Sequence, residues 1–285
     1  MLLLHGLCSS PLEVRLFART LRGRGFHVET PVLRGYSAKE AEPGGDVVAA
    51  DFRRWIADAI TEVQRLAQAH DEVTICGVSL GATLALAVAA ECGTHVHALS
   101  LISTTLFFDG WNVSRWRILL PIAYYTPLGR FYRYRETAPY GVKNERVRAW
   151  IAGQLERGSL SSAGASSIPT PSLRQADRLI RFVKGSLRTV STPTLMIHAR
   201  EDDVASLGNV SYVRRHIGAA IFDELIVDDS YHMITLDNDR ELAALTTGRF
   251  FNSAAELRKR NARATPERAP PLGTISTYAK KGQSA

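Results

Sequence analysis

Short runs of aliphatic and β-branched residues recur along the chain, separated by longer stretches whose apolar residues fall at helical spacing. Strands are predicted over Leu2–His5, Phe26–Glu29, Val73–Val78, Val96–Ile102, Thr194–Ile197 and Ile221–Val227. Helices are predicted over Pro11–Arg24, which has a proline near its start and Gly25 just past its end, and over residues 47–70, where Phe52, Ile56, Ile60, Val63 and Leu66 share one face. Two further helices are predicted over Ala82–Cys92 and from about Asn209 to His216. Strands alternating with helices give an α/β fold with a doubly wound, mostly parallel sheet. Residues 73–90, VTICGVSLGATLALAVAA, carry no charge and are long enough to mimic a membrane span. Gly77 and Gly81, however, divide a β-branched run from an alanine-leucine run, so the segment reads as a buried strand turning into a buried helix.

The rhythm breaks between residues 109 and 191. This stretch holds Trp111, Trp116 and Trp150, the aromatic series Tyr124, Tyr125, Phe131, Tyr132 and Tyr134, and a Ser/Gly/Pro-rich connector over Gly158–Pro171. A helical pattern follows, with Leu173, Leu179, Ile180, Val183 and Leu187 apolar and Arg174, Arg178, Arg181, Lys184 and Arg188 polar. It reads as a mostly helical module, 109–191, inserted between two strands of one sheet, whose body is residues 1–108 and 192–252. The tail, 253–285, is basic, proline-bearing and poor in apolar residues, and is expected to be disordered.

At 285 residues, 45% hydrophobic and 22% charged, the chain has the composition of a soluble globular protein able to bury a core, which excludes a small stapled scaffold and a disordered chain. The formal charge of +7 is unevenly placed: the two body segments carry −2 and −5, the insertion +9 and the tail +5. No nucleic-acid partner is expected from a body of this sign. Cys8, Cys76 and Cys92 are sparse and lack C-x-x-C spacing, so they read as reduced thiols of a cytoplasmic protein. The opening MLLLHGLCSS is too short and wrongly flanked for a signal peptide.

Gly77-Val78-Ser79-Leu80-Gly81 matches G-x-S-x-G, in which a serine sits on a sharp turn from strand to helix. The motif alone is weak; its placement between a strand pattern and a helix pattern strengthens it. A serine hydroxyl needs a base, and the base needs an acid that fixes its tautomer. Among the histidines, His27, His70, His95 and His97 lie beside strand starts or helix ends, His216 sits near a helix C-terminus, and His5 and His198 end strands as structural residues would. His232, in the loop DDSYHM after the last strand, can reach back over the carboxyl ends of the sheet and is the candidate base. The loop HAREDDVAS offers the acid: Asp202 is preferred, with Asp203 its rival, and Asp228 and Asp229 lie near enough to His232 to modulate it. An oxyanion hole needs two N–H donors, and the candidates are the amides of Leu80, at a helix start, and Leu7, in the turn after the first strand.

The segments LLLHGL, GVSLGA, PTLMIHAREDDV and SYHMITLD resemble the α/β-hydrolase superfamily, and within it the bacterial carboxylesterase and monoacylglycerol-lipase-like branch, over roughly residues 2–252. That resemblance implies an eight-stranded fold with a helical lid after the sixth strand, so residues 109–191 would be the lid. Members have about two strands before the HG loop, whereas this chain starts on that loop's strand; either those strands are absent or the true start lies upstream. Ester hydrolysis through an acyl-serine is expected, with no metal, nucleotide or flavin cofactor. Trp111, Trp116, Leu120 and Tyr124, beside Leu119, Ile122 and Tyr125, would line an apolar pocket for a medium or long acyl chain. The basic lid suits a transient encounter with an anionic membrane surface or substrate. A thioesterase or acyltransferase could use the same residues, and a non-catalytic binding protein is a third reading.

Overall fold

The computed structural model describes residues 1–38, 50–114, 124, 126, 133–135, 137–157, 160–161, 164–165 and 167–264. In chain order the elements are β1 (Leu2–Leu4), α1 (Arg15–Arg22), α2 (Phe52–Ala69), β2 (Thr74–Val78), α3 (Leu80–Cys92), β3 (Ala98–Ile102), β4 (Arg133–Arg135), α4 (Glu145–Arg157), β5 (Leu160–Ser161), β6 (Gly164–Ala165), β7 (Ser167–Pro169), α5 (Thr170–Ser186), β8 (Thr194–Ala199), α6 (Gly208–His216), β9 (Phe222–Val227) and α7 (Arg240–Ala264). Five strands form one sheet in the order β1-β2-β3-β8-β9, and every neighbouring pair is parallel.

Alternation along the strands explains why the sheet is covered on both sides. Leu2, Leu4, Ile75, Leu99, Leu101 and Met196 point into one core with α2, α3 and α5. Leu3, Cys76, Val78, Ala98, Ile102, Leu195 and Ile197 point into the other with α1 and α7. Helix α3 is buried along nearly its whole length because both the sheet and the helices α2 and α5 press on it, so its sequence shows no polar face. Among the described residues no helix is long and apolar enough to cross a membrane.

Three departures from the sequence reading have physical causes. Phe26–Glu29 does not form a strand: only Glu29 pairs, with Leu2, while the carbonyls of His27 and Val28 are taken by the Met1 amino group and by Arg22. The expected disorder of the tail fails for residues 253–264, since α7 continues to Ala264 through a run of strong helix formers, Ala254 packing against the second core; residues 265–285 lie outside the described set. Helix α5, which falls inside the predicted insertion, packs Leu179, Ile180 and Val183 onto α3 and so belongs to the helical layer of the body. Two antiparallel pairs, β4 with β7 and β5 with β6, stand apart from the main sheet. Helix α4 contributes Ile151 to a third cluster with Val142, Met233 and Leu236.

Candidate active site

The turn from β2 into α3 puts Ser79 at the carboxyl end of the sheet with φ +56° and ψ −121°. A non-glycine residue at positive φ costs on the order of 1–3 kcal/mol, and the surroundings must impose it. Here they do so by crowding. A Cβ at Gly81 would strike the carbonyls of Leu4 and His5, and one at Gly77 would strike the Gly81 carbonyl, so only glycines let the helix start this close to the strands. The Ser79 amide donates to Ile102 O at 2.9 Å and its carbonyl accepts from Ala82 and Thr83, which clamps the turn on both sides.

His232 reaches this turn from the loop between β9 and α7. Its Nε2 lies 2.9 Å from Ser79 Oγ. Its Nδ1 lies 2.9 Å from each carboxylate oxygen of Asp202, in the loop after β8. Three side chains from distant parts of the chain are thus joined in one hydrogen-bonded row, Asp202 to His232 to Ser79. Asp203 points elsewhere: its Oδ1 accepts the backbone N–H of His232 at 3.3 Å. Of the two neighbouring carboxylates only Asp202 meets the imidazole ring. Asp202 Oδ1 also accepts the amides of Val204 at 2.8 Å and Ala205 at 2.7 Å.

The charges follow from this geometry. Burial opposes a proton on His232, but the adjacent Asp202 carboxylate, its hydrogen bond, and the fields of Asp203 and Glu13 outweigh it and push the imidazole up to about 9. Burial also opposes charge on Asp202, yet His232, His198 and the Ala205 amide hold it below the usual carboxylate range, so it stays ionised. Asp203 is pushed the other way, chiefly by burial.

A family model for the alpha/beta hydrolase family matches residues 1–245. The chain belongs to that family. It is 25% identical over 250 residues to the thermostable monoacylglycerol lipase of Bacillus sp. (strain H-257), covering 88% of this chain and 89% of that one. With the carboxylesterase of Bacillus subtilis (strain 168) it shares 21% over 254 residues, 85% of this chain and 87% of that one. Among solved structures, the monoacylglycerol lipase of Paleococcus ferrophilus superposes with a TM-score of 0.71 at 13% identity, over 89% of this chain and 93% of that one. At that identity the superposition speaks to the α/β-hydrolase fold alone.

Within this α/β-hydrolase the loop after β1 faces the elbow. The amides of Leu7 and Leu80 make no hydrogen bond among the described residues, and Leu80 opens α3, where helix N–H groups are unpaired. The Gly6 amide is not free, because it donates to the buried Glu13 carboxylate at 3.0 Å. His5 is scaffold: its Nδ1–H donates to Gly6 O, the Ser37 hydroxyl donates to its Nε2, and burial lowers it to about 4, which keeps it neutral.

The predicted pocket residues fare differently. Trp111 is 59% exposed, donates its Nε1–H to Glu201 O at 3.0 Å and rests edge-on against Tyr231. Tyr124 is half-buried, while Trp116, Leu120, Leu119, Ile122 and Tyr125 lie outside the described residues. Asp228 is exposed and pairs with Arg200, and the Asp229 amide donates to Asp239; neither contacts the imidazole. Sequence reasoning missed four supporting groups. Ser103 donates to His232 O at 2.6 Å, Asp237 gathers the amides of Lys143, Asn144 and Tyr231, Glu13 holds the Gly6 turn, and His198 lies under Asp202. Only Glu13 left a signal: it stands four residues before Phe17, on the apolar side of the first predicted helix.

Proposed function

We infer that this chain is a carboxylic ester hydrolase working through an acyl-serine intermediate, with Ser79 as nucleophile, His232 as general base and acid, and Asp202 as the group that orients and balances His232. The single observation that carries the reading is the unbroken row from Asp202 through His232 Nδ1 and Nε2 to Ser79 Oγ, with contacts of 2.9 Å. Neutral His232 takes the Ser79 proton as Oγ bonds to the ester carbonyl carbon, and the carbonyl oxygen becomes an oxyanion. The amides of Leu7 and Leu80 receive that oxyanion. Collapse breaks the bond to the alcohol oxygen, which leaves with the proton from His232. A water molecule then repeats the sequence on the acyl-serine, releasing the carboxylic acid and restoring Ser79.

Substrate class follows from the relatives and the insertion. The similarity to a monoacylglycerol lipase and a carboxylesterase supports small-molecule esters, and the apolar side chains of residues 109–135 support a medium or long acyl chain held beneath a lid, with Trp116, Leu120 and Tyr124 as its lining. The insertion's net +9 supports an anionic lipid surface as the source of that substrate, and the sparse cysteines, without C-x-x-C spacing, support a cytoplasmic setting.

Labelling with a fluorophosphonate probe, peptide mapping, and a p-nitrophenyl ester series of increasing chain length test the reading together. The probe should attach at Ser79, and Ser79→Ala should lower turnover by a factor on the order of 10⁴–10⁶ with the fold intact. Attachment elsewhere, or retained turnover in Ser79→Ala, would overturn the mechanism.

A further inference from the structure

We propose that His198 is a positioning residue for the acid and base: its buried ring, anchored on Ala205 O, sets its Nε2–H edge against Oδ2 and so fixes the plane of the Asp202 carboxylate beneath His232. This deepens the acyl-serine reading and depends on it. His198 stands near the end of β8, four residues before Asp202, and both side chains are fully buried. Its Nε2 lies 2.7 Å from Ala205 O and 3.3 Å from Asp202 Oδ2. Ala205 O can only accept, so the ring hydrogen sits on Nε2 and is donated to it, leaving the same N–H edge in electrostatic contact with Asp202 Oδ2. Nδ1 is buried and has no hydrogen-bond partner among the described residues, so a second proton there would be stranded without an acceptor. Burial, which pulls the ring below its ordinary value, agrees with this geometry.

The consequence lies in how Asp202 is held. Its Oδ1 takes the amides of Val204 and Ala205, whereas Oδ2, beyond its contact with His232 Nδ1, meets the His198 ring edge at 3.3 Å among the described residues. The ring edge therefore bears on the side of the carboxylate that no backbone amide holds among the described residues. A cationic side chain at the same place would compete for the carboxylate's charge and weaken the base. The charged and titratable groups facing His198 are Asp202, His232 and Asp109; those facing His232 are Asp202, Asp203 and Glu13.

The test compares His198→Leu, which removes the donor, with His198→Gln, whose amide N–H reaches to a similar depth. For each, kcat and KM on a p-nitrophenyl ester are measured across pH, with thermal melting and the fluorophosphonate labelling rate alongside. His198→Leu should lower kcat about tenfold at little change in KM, less than the roughly 10² that a full misplacement can cost. Its acid limb should also move to higher pH, because a less solvated Asp202 holds the His232 proton more tightly. His198→Gln should recover most of kcat and the original limb. Should His198→Leu not accumulate folded, His198→Asn, whose amide stops short of Asp202, must show the same loss. Wild-type kcat and an unmoved limb in His198→Leu, or a Gln variant as impaired as Leu on both readouts, would overturn the proposal. If wild type neither labels nor hydrolyses, the acyl-serine reading itself falls; if it labels at Ser79 while the His198 variants match it, only the positioning role does.

Discussion

Ser79 and His232, the proposed nucleophile and base of this hydrolase, are held in place by opposite means. Ser79 stands between two regular elements, and its backbone is fixed by backbone crowding, through the closeness of α3 to β1 and two glycines without side chains, which hold it at a strained φ. His232 stands in a stretch without helix or strand, and side chains fix it: Asp203 takes its amide, Ser103 its carbonyl, Asp202 its ring, and Asp237 and Asp239 gather the loop on either side. Backbone crowding tolerates no added atom, whereas a loop tied by hydrogen bonds loses stability one bond at a time. A turnover site can thus combine a rigid half with one whose precision is distributed over many weak ties.

The largest effect should come from cutting the tie to the ring. Asp202→Asn should lower kcat by about 10⁴, by releasing the wrong imidazole tautomer, while Asp203→Asn costs less than about tenfold. Steady-state kinetics on both variants would reverse the assignment if Asp203→Asn proved the more damaging. On the rigid side, Gly81→Ala should cost about 4 kcal/mol or prevent folding, because the methyl group meets backbone carbonyls that cannot move aside. Urea unfolding or soluble yield reads this out, and a variant of ordinary stability would break the contrast. On the tied side, Asp237→Ala should cost about 2 kcal/mol and leave a folded protein, since it orphans the amides of Lys143, Asn144 and Tyr231. The smallest effect is a displacement in pH. Because Asp202 outweighs burial at His232, the base loses its proton above the ordinary histidine value of 6.5, so kcat/KM should rise with a midpoint displaced toward 9. In the residual activity of Asp202→Asn burial is opposed only by the fields of Asp203 and Glu13, and the midpoint should fall below that of the wild type.

The same contrast decides what could be read from the sequence. The elbow was legible because its constraints are local: a strand pattern, a helix pattern and two glycines within five residues. His232 was legible by its place after the last strand. The sequence preferred Asp202 but kept Asp203 as its rival, since adjacent residues of one type differ only in which way the loop turns them, and it is Asp202 that meets the ring. His198 reads as a strand-end histidine, and nothing in its neighbours says that its ring meets the carboxylate four residues on. Trp111 was expected in a pocket on hydrophobicity alone, but its indole N–H finds Glu201 O at the surface. The strand expected at Phe26–Glu29 failed for a related reason: β-propensity was present, but those carbonyls were claimed by Met1 and Arg22.

One contact ties α4 to the loop that carries His232. Ile151 of α4 and Val142 share an apolar patch with Met233, the residue after His232, and Met233 donates its amide to Gly141 O at 2.7 Å. Helix α4 and the loop that carries His232 therefore stand on a common mechanical footing. Residues 137–157 and 231–237 form one packing unit, and replacing the first with a foreign segment would have to keep an apolar partner for Met233 and an acceptor for its amide.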